Sequence, residues 1–284
     1  AESVDTMSAN TRPFFVVSSG RSGTSLMQRL FSAFPHVEMH HEYMMQHVQP
    51  AAIKHYLGLI GLGEAVHVLR ATHGASIHHT PALLWGDASH ALSWLIPVLN
   101  RLFPEARFIH LVRDGRLVTQ SYFLERTQDC YTDDAVAALQ RHYDSHGQVP
   151  APPPEARFWW PVPPRGHPLA PEFSSLGRFG RIAFHWAQVN RTINHHLDAI
   201  PAERKHVIRI EDLASRTDAR QGLMAFMGLP WDDRLTGLVT LDGSAPALTP
   251  PALTPEQSAQ FDAIAADMMQ LFGYERPKLQ RAAR

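Results

Sequence analysis

Short apolar runs alternate with stretches of helical periodicity along this chain. The runs that have the length of buried strands are Phe14–Val17, Ala82–Trp85, Arg107–Val112 and Lys205–Ile210. Between and after them, apolar residues recur every three or four positions, as on the buried face of a helix. The helices predicted in this way cover about residues 23–34, 43–73, 91–102, 116–127, 133–144, 176–199, 217–228 and 254–272.

Strands that alternate with helices predict an α/β fold, a doubly wound parallel sheet flanked by helices. After the first predicted helix, we expect Pro35–Met39 to lead out of the sheet. In such sheets the ligand binds outside the carboxyl ends of the strands. The residues that follow each predicted strand are therefore the first place to look for chemistry.

The first predicted strand is followed at once by a polar, glycine-containing turn, Ser18–Ser25, and a helix begins near Gly23. This arrangement directs several backbone N–H groups and the positive end of a helix dipole at one point, which suits a phosphate or a sulfate. Gly20 and Gly23 allow the backbone to approach the anion closely. Arg21 adds a charged, forked donor, so the turn is a candidate anion-binding loop.

The hydroxyl groups of Thr24 and Ser25 are further candidate donors to the anion. A kinase-type P-loop would require glycine at the position of Ser18 and lysine at the position of Thr24. The lysine that reaches a transferred phosphate is thus absent from the motif. A nucleotide phosphotransferase is accordingly the less favoured alternative.

The segment Arg21–Met27, RSGTSLM, resembles the 5′-phosphosulfate loop of sulfotransferases that use 3′-phosphoadenosine 5′-phosphosulfate (PAPS). The carbohydrate and tyrosylprotein branches of that family carry arginine where the cytosolic branch for small molecules has lysine. The resemblance implies a P-loop-like sulfotransferase fold. It also implies that PAPS is bound by Arg21, Ser22, Gly23, Thr24 and Ser25.

A second candidate anion site follows the third predicted strand, where Arg113 precedes Ser121 by two helical turns. An arginine at a strand end and a serine at that distance can converge on one anion. The pair resembles the 3′-phosphate motif of the same family. Because both motifs occur in the right order and at the ends of separate strands, the chain is identified as a PAPS-dependent sulfotransferase, closest to the tyrosylprotein and carbohydrate branches.

The resemblance implies in-line transfer of a sulfuryl group to an acceptor hydroxyl, with 3′-phosphoadenosine 5′-phosphate (PAP) as product. Glu42 lies where tyrosylprotein sulfotransferases carry their catalytic glutamate, which makes it the candidate general base, and Arg21 would stabilise the leaving phosphate. Burial would raise the pKa of such a carboxyl, whereas neighbouring cations would lower it. His41 and His90 are the alternative bases, because histidine serves in the cytosolic branch.

The sequence departs from the family pattern at two positions. Ala88 stands where many members carry a lysine that faces the sulfate, and Glu125 stands where a basic residue often follows the 3′-phosphate serine. Ala88 supports the alternative of a non-catalytic protein that binds PAP or PAPS. Glu125 places a negative charge next to the predicted 3′-phosphate site.

The chain has 284 residues, of which 44% are hydrophobic, enough for one large domain with a full core. We expect a disordered tail at residues 1–12 and a single sulfotransferase domain at 13–284. Residues 150–171 contain nine of the 22 prolines and are predicted to form neither helix nor sheet. They are either a surface excursion or a wall beside the acceptor pocket. Several apolar side chains have two possible interpretations, as the lining of an apolar acceptor pocket or as ordinary core packing. They are Tyr43, Met44, Met45, Phe158, Trp159 and Trp160.

The net charge of −1 gives no indication of a nucleic-acid partner. One cysteine, Cys130, excludes an intrachain disulfide and fits the cytoplasm, and no apolar run has the length of a membrane span. The histidines near residues 36–47 and 78–79 lack the spacing of a metal-binding motif, so no metal is predicted. The acceptor is a hydroxyl of a small molecule or of a peptide.

Overall fold

A five-stranded parallel sheet forms the centre of the computed structural model, which describes residues 11–239 and 252–274. The strands are β1 (Arg12–Val17), β2 (Val37–His41), β3 (Leu84–Ala88), β4 (Arg107–Val112) and β5 (Lys205–Arg209). Their order across the sheet is β2-β3-β1-β4-β5, so β1 lies in the middle and β2 and β5 are the edges. This parallel α/β architecture confirms the fold class expected from the alternation of strands and helices.

Helices connect the strands and cover both faces of the sheet. They are α1 (Thr24–Ser32), α2 (Met45–Tyr56), α3 (Leu62–Leu69), α4 (Ala75–His79), α5 (Ile96–Leu102), α6 (Gly115–Glu125), α7 (Asp133–Asp144), α8 (Gly177–Leu197), α9 (Ile210–Ser215), α10 (Thr217–Met227), α11 (Thr236–Val239) and α12 (Pro255–Leu271). Within the described ranges, none of these helices is both long and apolar enough to cross a membrane.

The side chains of β1 alternate between two hydrophobic cores, one on each face of the sheet. Phe14 and Val16 pack with α1, α9 and α10, whereas Phe15 and Val17 pack with the larger group of helices that includes α8. Successive residues of a strand point to opposite faces, so a strand that is covered on both sides is apolar throughout. This explains why β1 was recognisable as a continuous apolar run.

Residues 35–39 do not lead out of the sheet, as the sequence suggested, because Val37–His41 form the edge strand β2. Only Met39 of this strand is buried, and the other members are partly exposed and mostly polar. An edge strand needs no continuous apolar run, which is why the hydrophobic pattern missed it.

The predicted strand at 82–85 begins and ends later than expected, since β3 covers Leu84–Ala88 and includes Gly86 and Asp87. A Cβ at Gly86 would lie 2.3 Å from the ring of Phe14, so this glycine permits packing inside the sheet and does not mark a turn. Asp87 is buried and lies 2.9 Å from Nε2 of His73. A buried hydrogen-bond partner of this kind makes an aspartate acceptable within a strand.

Residues 11 and 12, which the sequence assigned to the tail, belong to the described fold. Arg12 is the first residue of β1, and Thr11 is buried and donates a hydrogen bond to the carbonyl of Ala82 at 2.7 Å. Residues 1–10 of the predicted tail and residues 275–284 of the predicted domain lie outside the described residues.

Candidate active site

The carboxyl ends of four neighbouring strands meet at one edge of the sheet. Going from β2 to β3, β1 and β4, the residues that follow these ends are Glu42, His90, Arg21 and Arg113. Adjacent strands are about 4.8 Å apart, so this row of polar side chains covers roughly 14 Å. The sheet order thus brings together residues that are far apart in the sequence, with the two candidate bases at one end and an arginine at the other.

The loop between β1 and α1 has a left-handed backbone at Gly20 (φ 77°), Arg21 (φ 53°) and Gly23 (φ 99°). A Cβ at Gly20 would lie 2.0 Å from Oη of Tyr122, and both glycines adopt a conformation that other residues avoid. Arg21 adopts the same region without being a glycine, at an energetic cost that is typical of functional sites.

Two buried side chains hold this loop through the carbonyl of Ser19. Nε2 of His185 donates to it at 2.8 Å, and Oη of Tyr122 donates to it at 3.2 Å. Burial lowers the pKa of His185 to about 3, so its ring is neutral at physiological pH. These loop contacts come from α6 and α8, and no spacing in the sequence indicated them.

The hydroxyl groups of the loop are not all available to an anion. Oγ of Ser22 donates to the carbonyl of Gly20 at 3.0 Å and is turned into the loop. Oγ1 of Thr24 lies 2.8 Å from Nε2 of His41, at the end of β2. Ser25 is exposed and lines the cavity in front of the loop. The donors that face the cavity are therefore fewer than the sequence suggested.

The side chain of Arg21 lies against the second predicted anion motif. Its Nε donates to Oγ of Ser121 at 2.8 Å, and its Nη2 forms an ion pair with Oε2 of Glu125. Oγ of Ser121 in turn donates to Oε1 of Glu125 at 2.9 Å. The structure therefore joins the two predicted motifs through one arginine, an arrangement that the separate motifs did not reveal.

Arg113 is buried beneath the same loop. Its Nη1 donates to the carbonyl of Arg21 at 2.6 Å, whereas its Nε has no partner among the described residues. Burial lowers the pKa of Arg113 to about 10, which still leaves the guanidinium charged at neutral pH. A buried cationic donor that lacks a partner is a feature of a site built for an anion.

Glu42 follows β2 directly and has a left-handed backbone (φ 56°). Its N–H donates to the carbonyl of Ala88 at 3.1 Å, and its carboxylate lies 3.5 Å from Nδ1 of His90. Interaction with His90 is the largest cause that lowers the pKa of Glu42 to about 2, and the charges of His41 and Arg126 act in the same direction, against the effect of burial. Burial and the neighbouring side chains act on the pKa of Glu42 in opposite directions, and the effect of the neighbours is larger.

His90 is covered, whereas Glu42 is accessible. The His90 ring stacks on Trp160 with centroids 5.2 Å apart, and within the described part of the chain neither ring nitrogen has a hydrogen-bond partner. Both nitrogens are shielded from solvent, while the Glu42 side chain is 42% exposed. A molecule entering the site therefore meets the carboxylate before the imidazole.

A cavity of about 550 Å³ opens in front of the loop and Glu42. Glu155, Ala156, Arg157 and Trp160 line one side of it, so the proline-rich segment contributes a wall. Of the residues considered for an apolar acceptor pocket, the cavity is lined by Met45 and Trp160. The others considered include Trp159, which is fully buried, and Tyr43, which packs on Trp85.

Among the described residues, no three histidine, cysteine, aspartate or glutamate side chains lie close enough together to hold a metal ion.

Comparison with known proteins gives two kinds of match. A sequence model described as the sulfotransferase family matches residues 13–155, which is half of the chain. The comparison with curated protein sequences finds no match to this chain.

Among solved structures, similar folds occur in a sulfotransferase domain from the curacin biosynthetic pathway (17% identity, 94% of this chain and 99% of that chain, TM-score 0.50). They also occur in a sulfotransferase domain from the Synechococcus PCC 7002 olefin synthase (17% identity, 95% of this chain and 98% of that chain, TM-score 0.52). A third similar structure is sulfotransferase STF9 from Mycobacterium avium (13% identity, 94% of this chain and 78% of that chain, TM-score 0.53). At these identities the likeness establishes the fold.

Proposed function

Because this chain belongs to the sulfotransferase family, we propose that it transfers a sulfuryl group from PAPS to a hydroxyl oxygen of an acceptor and releases PAP. The observation that carries the proposal is the order of groups along the sheet edge. A carboxylate stands after β2, the anion loop after β1, and Arg113 after β4. We further propose that the chain from residue 11 onwards acts as one sulfotransferase domain.

The anion loop suits the 5′-phosphosulfate of the donor. Gly20 and Gly23 place no side chain on the surface of the loop. The N-terminus of α1 directs the helix dipole at the same point. Ser22, Thr24 and Ser25 contribute through their backbone N–H groups, since two of the three hydroxyls are bonded within the protein. We assign Arg21, which belongs to this loop, to the departing phosphate, where negative charge develops. For this role its guanidinium has to turn from Ser121 and Glu125, which it contacts here.

Arg113 and Ser121 are the groups that we assign to the 3′-phosphate. The unpartnered Nε of Arg113 supports this assignment, because a phosphate oxygen would satisfy it. The two phosphates of the nucleotide would then lie at the carboxyl ends of β1 and β4, which are adjacent strands. This leaves the end of the site at β2 and β3 for the acceptor.

The chemical step needs the acceptor oxygen, the sulfur and the bridging oxygen of the donor in line. The new S–O bond forms to the acceptor, the S–O bond to the 5′-phosphate breaks, and the electron pair leaves on the phosphate. Glu42 takes the hydroxyl proton in this proposal, because it is ionised and accessible from the cavity. His90, whose Nδ1 lies 3.5 Å from the carboxylate, orients Glu42.

Two alternatives remain, one for the identity of the base and one for catalysis itself. His90 itself, or His41, would be the base if loss of the Glu42 carboxylate left turnover intact. A protein that binds PAP without catalysis is supported by Ala88, which supplies no cation where many relatives carry lysine.

Calorimetry with PAP, followed by an acceptor panel with PAPS, tests the proposal. Release of PAP together with a sulfated product identified by mass spectrometry is the expected result. Tight binding of PAP without turnover of phenols, alcohols, sugars or tyrosine peptides would favour the non-catalytic alternative. Tighter binding of ATP than of PAP would instead favour a phosphotransferase.

A further inference from the structure

Glu125 ends α6, and its carboxylate contacts a group from each predicted anion motif. Oγ of Ser121 donates to it at 2.9 Å, and the guanidinium of Arg21 forms an ion pair with it. One negatively charged group thus satisfies a hydroxyl donor and a cationic donor at the same time. These are the two kinds of contact that a phosphate makes in a protein.

The contacts that hold the carboxylate of Glu125 lie at a partly exposed position. The Glu125 side chain is 57% exposed and that of Arg21 is 31% exposed, so water can replace either partner. Exposed ion pairs contribute little net stability, because solvent screens them and ordering long side chains costs entropy. Glu125 therefore occupies the anion position without being locked into it.

We infer that Glu125 takes the place of the 3′-phosphate when no nucleotide is bound, and that the incoming phosphate displaces it from Ser121. This inference rests on the proposed function. The charge of Glu125 also acts on Arg113, the other group that we assign to the 3′-phosphate. A carboxylate and a phosphate repel each other strongly at contact distance, so they cannot share these donors.

Glu125 then limits the affinity for every nucleotide that carries a 3′-phosphate. Such a nucleotide must first break the contacts of Glu125 with Ser121 and Arg21. The same competition favours the departure of PAP after transfer, because Glu125 returns to the vacated donors. The acidic residue, where relatives often have a basic one, is thus a specificity-determining residue for the donor and its product.

The test compares Glu125→Gln with wild type by calorimetry, using PAP and adenosine 5′-monophosphate (AMP). Glutamine keeps the size of the side chain and one acceptor oxygen, replaces the other oxygen by an NH2 donor, and removes the competing charge. PAP should bind about tenfold more tightly to the variant, a moderate effect because the site is partly exposed. The affinity for AMP should stay within about twofold, because AMP brings no second phosphate to Ser121.

Glu105→Gln is the matched control, since Glu105 is exposed and precedes β4 at the opposite end of the strand from the site. It should leave the affinity for PAP unchanged. Equal or weaker binding of PAP to Glu125→Gln would overturn the inference, as would an equal gain for AMP. Failure of PAP to bind wild type and variant alike would overturn the proposed function itself.

Discussion

Replacing Glu42 by glutamine is the most direct test of the proposed chemistry. The substitution retains the shape of the side chain, but an amide replaces the carboxylate that would accept the hydroxyl proton. Loss of a positioned base lowers turnover by ~10²–10⁴, which corresponds to about 3–5 kcal/mol in the activation barrier. The affinity for PAP should not change, because the donor phosphates are assigned to the loop and to the residues after β4.

The pH dependence separates this carboxylate from the histidines. The pKa of Glu42 falls from an ordinary 4.5 to about 2 in the folded protein, so the carboxylate is fully ionised from mildly acidic to neutral pH. Glu42 should therefore produce no rising limb of kcat between about pH 5 and 8. A limb in that range that disappears in His90→Gln, but persists in Glu42→Gln, would identify the imidazole as the base.

The same pKa shift makes a prediction about stability. A lowered pKa means that ionised Glu42 favours the folded state above pH 4.5, and this contribution is lost as the pH falls from 4.5 towards 2. Thermal unfolding between pH 3 and 7, compared in wild type and Glu42→Gln, measures the difference. The variant should lose less stability than wild type on acidification.

A double variant shows whether the carboxylate and the imidazole act as one unit. If His90 acts by orienting Glu42, the double variant Glu42→Gln with His90→Gln should be little worse than the more damaging single variant. Glu105→Gln provides the control for loss of one carboxylate elsewhere. Turnover of folded Glu42→Gln within about twofold of wild type would refute the role of Glu42.

Four further variants test the donor site and the packing of the fold. Arg21→Ala should leave the circular dichroism spectrum unchanged and lower turnover by ~10²–10³, and normal turnover would remove Arg21 from the mechanism. Arg113→Ala should weaken PAP binding in calorimetry by about 1.5–3 kcal/mol, and an unchanged Kd would show that another group holds the 3′-phosphate. Gly115→Ala puts a Cβ 2.6 Å from the buried ring of Trp186 and should lower the free energy of unfolding by about 1–3 kcal/mol. Gly222→Ala, in a helix with open space around it, should instead raise that free energy by about 0.5–1 kcal/mol in the same denaturant titration, and a loss there would contradict the packing argument.

Most of the fold could be predicted from the sequence because its signals are local. β4 and α7 have the predicted bounds, since each carries its whole pattern within a dozen residues. Segments whose stability depends on distant neighbours were harder to predict. β2 is an edge strand with polar residues, and β3 continues through Gly86, whose small size matters only because Phe14 of the neighbouring strand packs there.

The sequence by itself determined which residues follow the strands and hence the candidate anion loop, because strand, turn and helix are contiguous there. The spacing of Arg113 and Ser121 was likewise readable, since both belong to one strand–helix junction. The loop and this pair follow from chain order. Glu42 was located by its resemblance to the catalytic glutamate position of tyrosylprotein sulfotransferases.

Only the tertiary structure decided where the side chains point and what charge they carry. Arg21 reaches Ser121 across 100 residues of sequence, and Glu42 meets His90 because their strands are neighbours in the sheet. Trp160 covers that histidine from a proline-rich segment with no helical or strand pattern. Contact, burial and pKa depend on distances in space, and the folded sheet brings these distant segments within a few ångströms of one another.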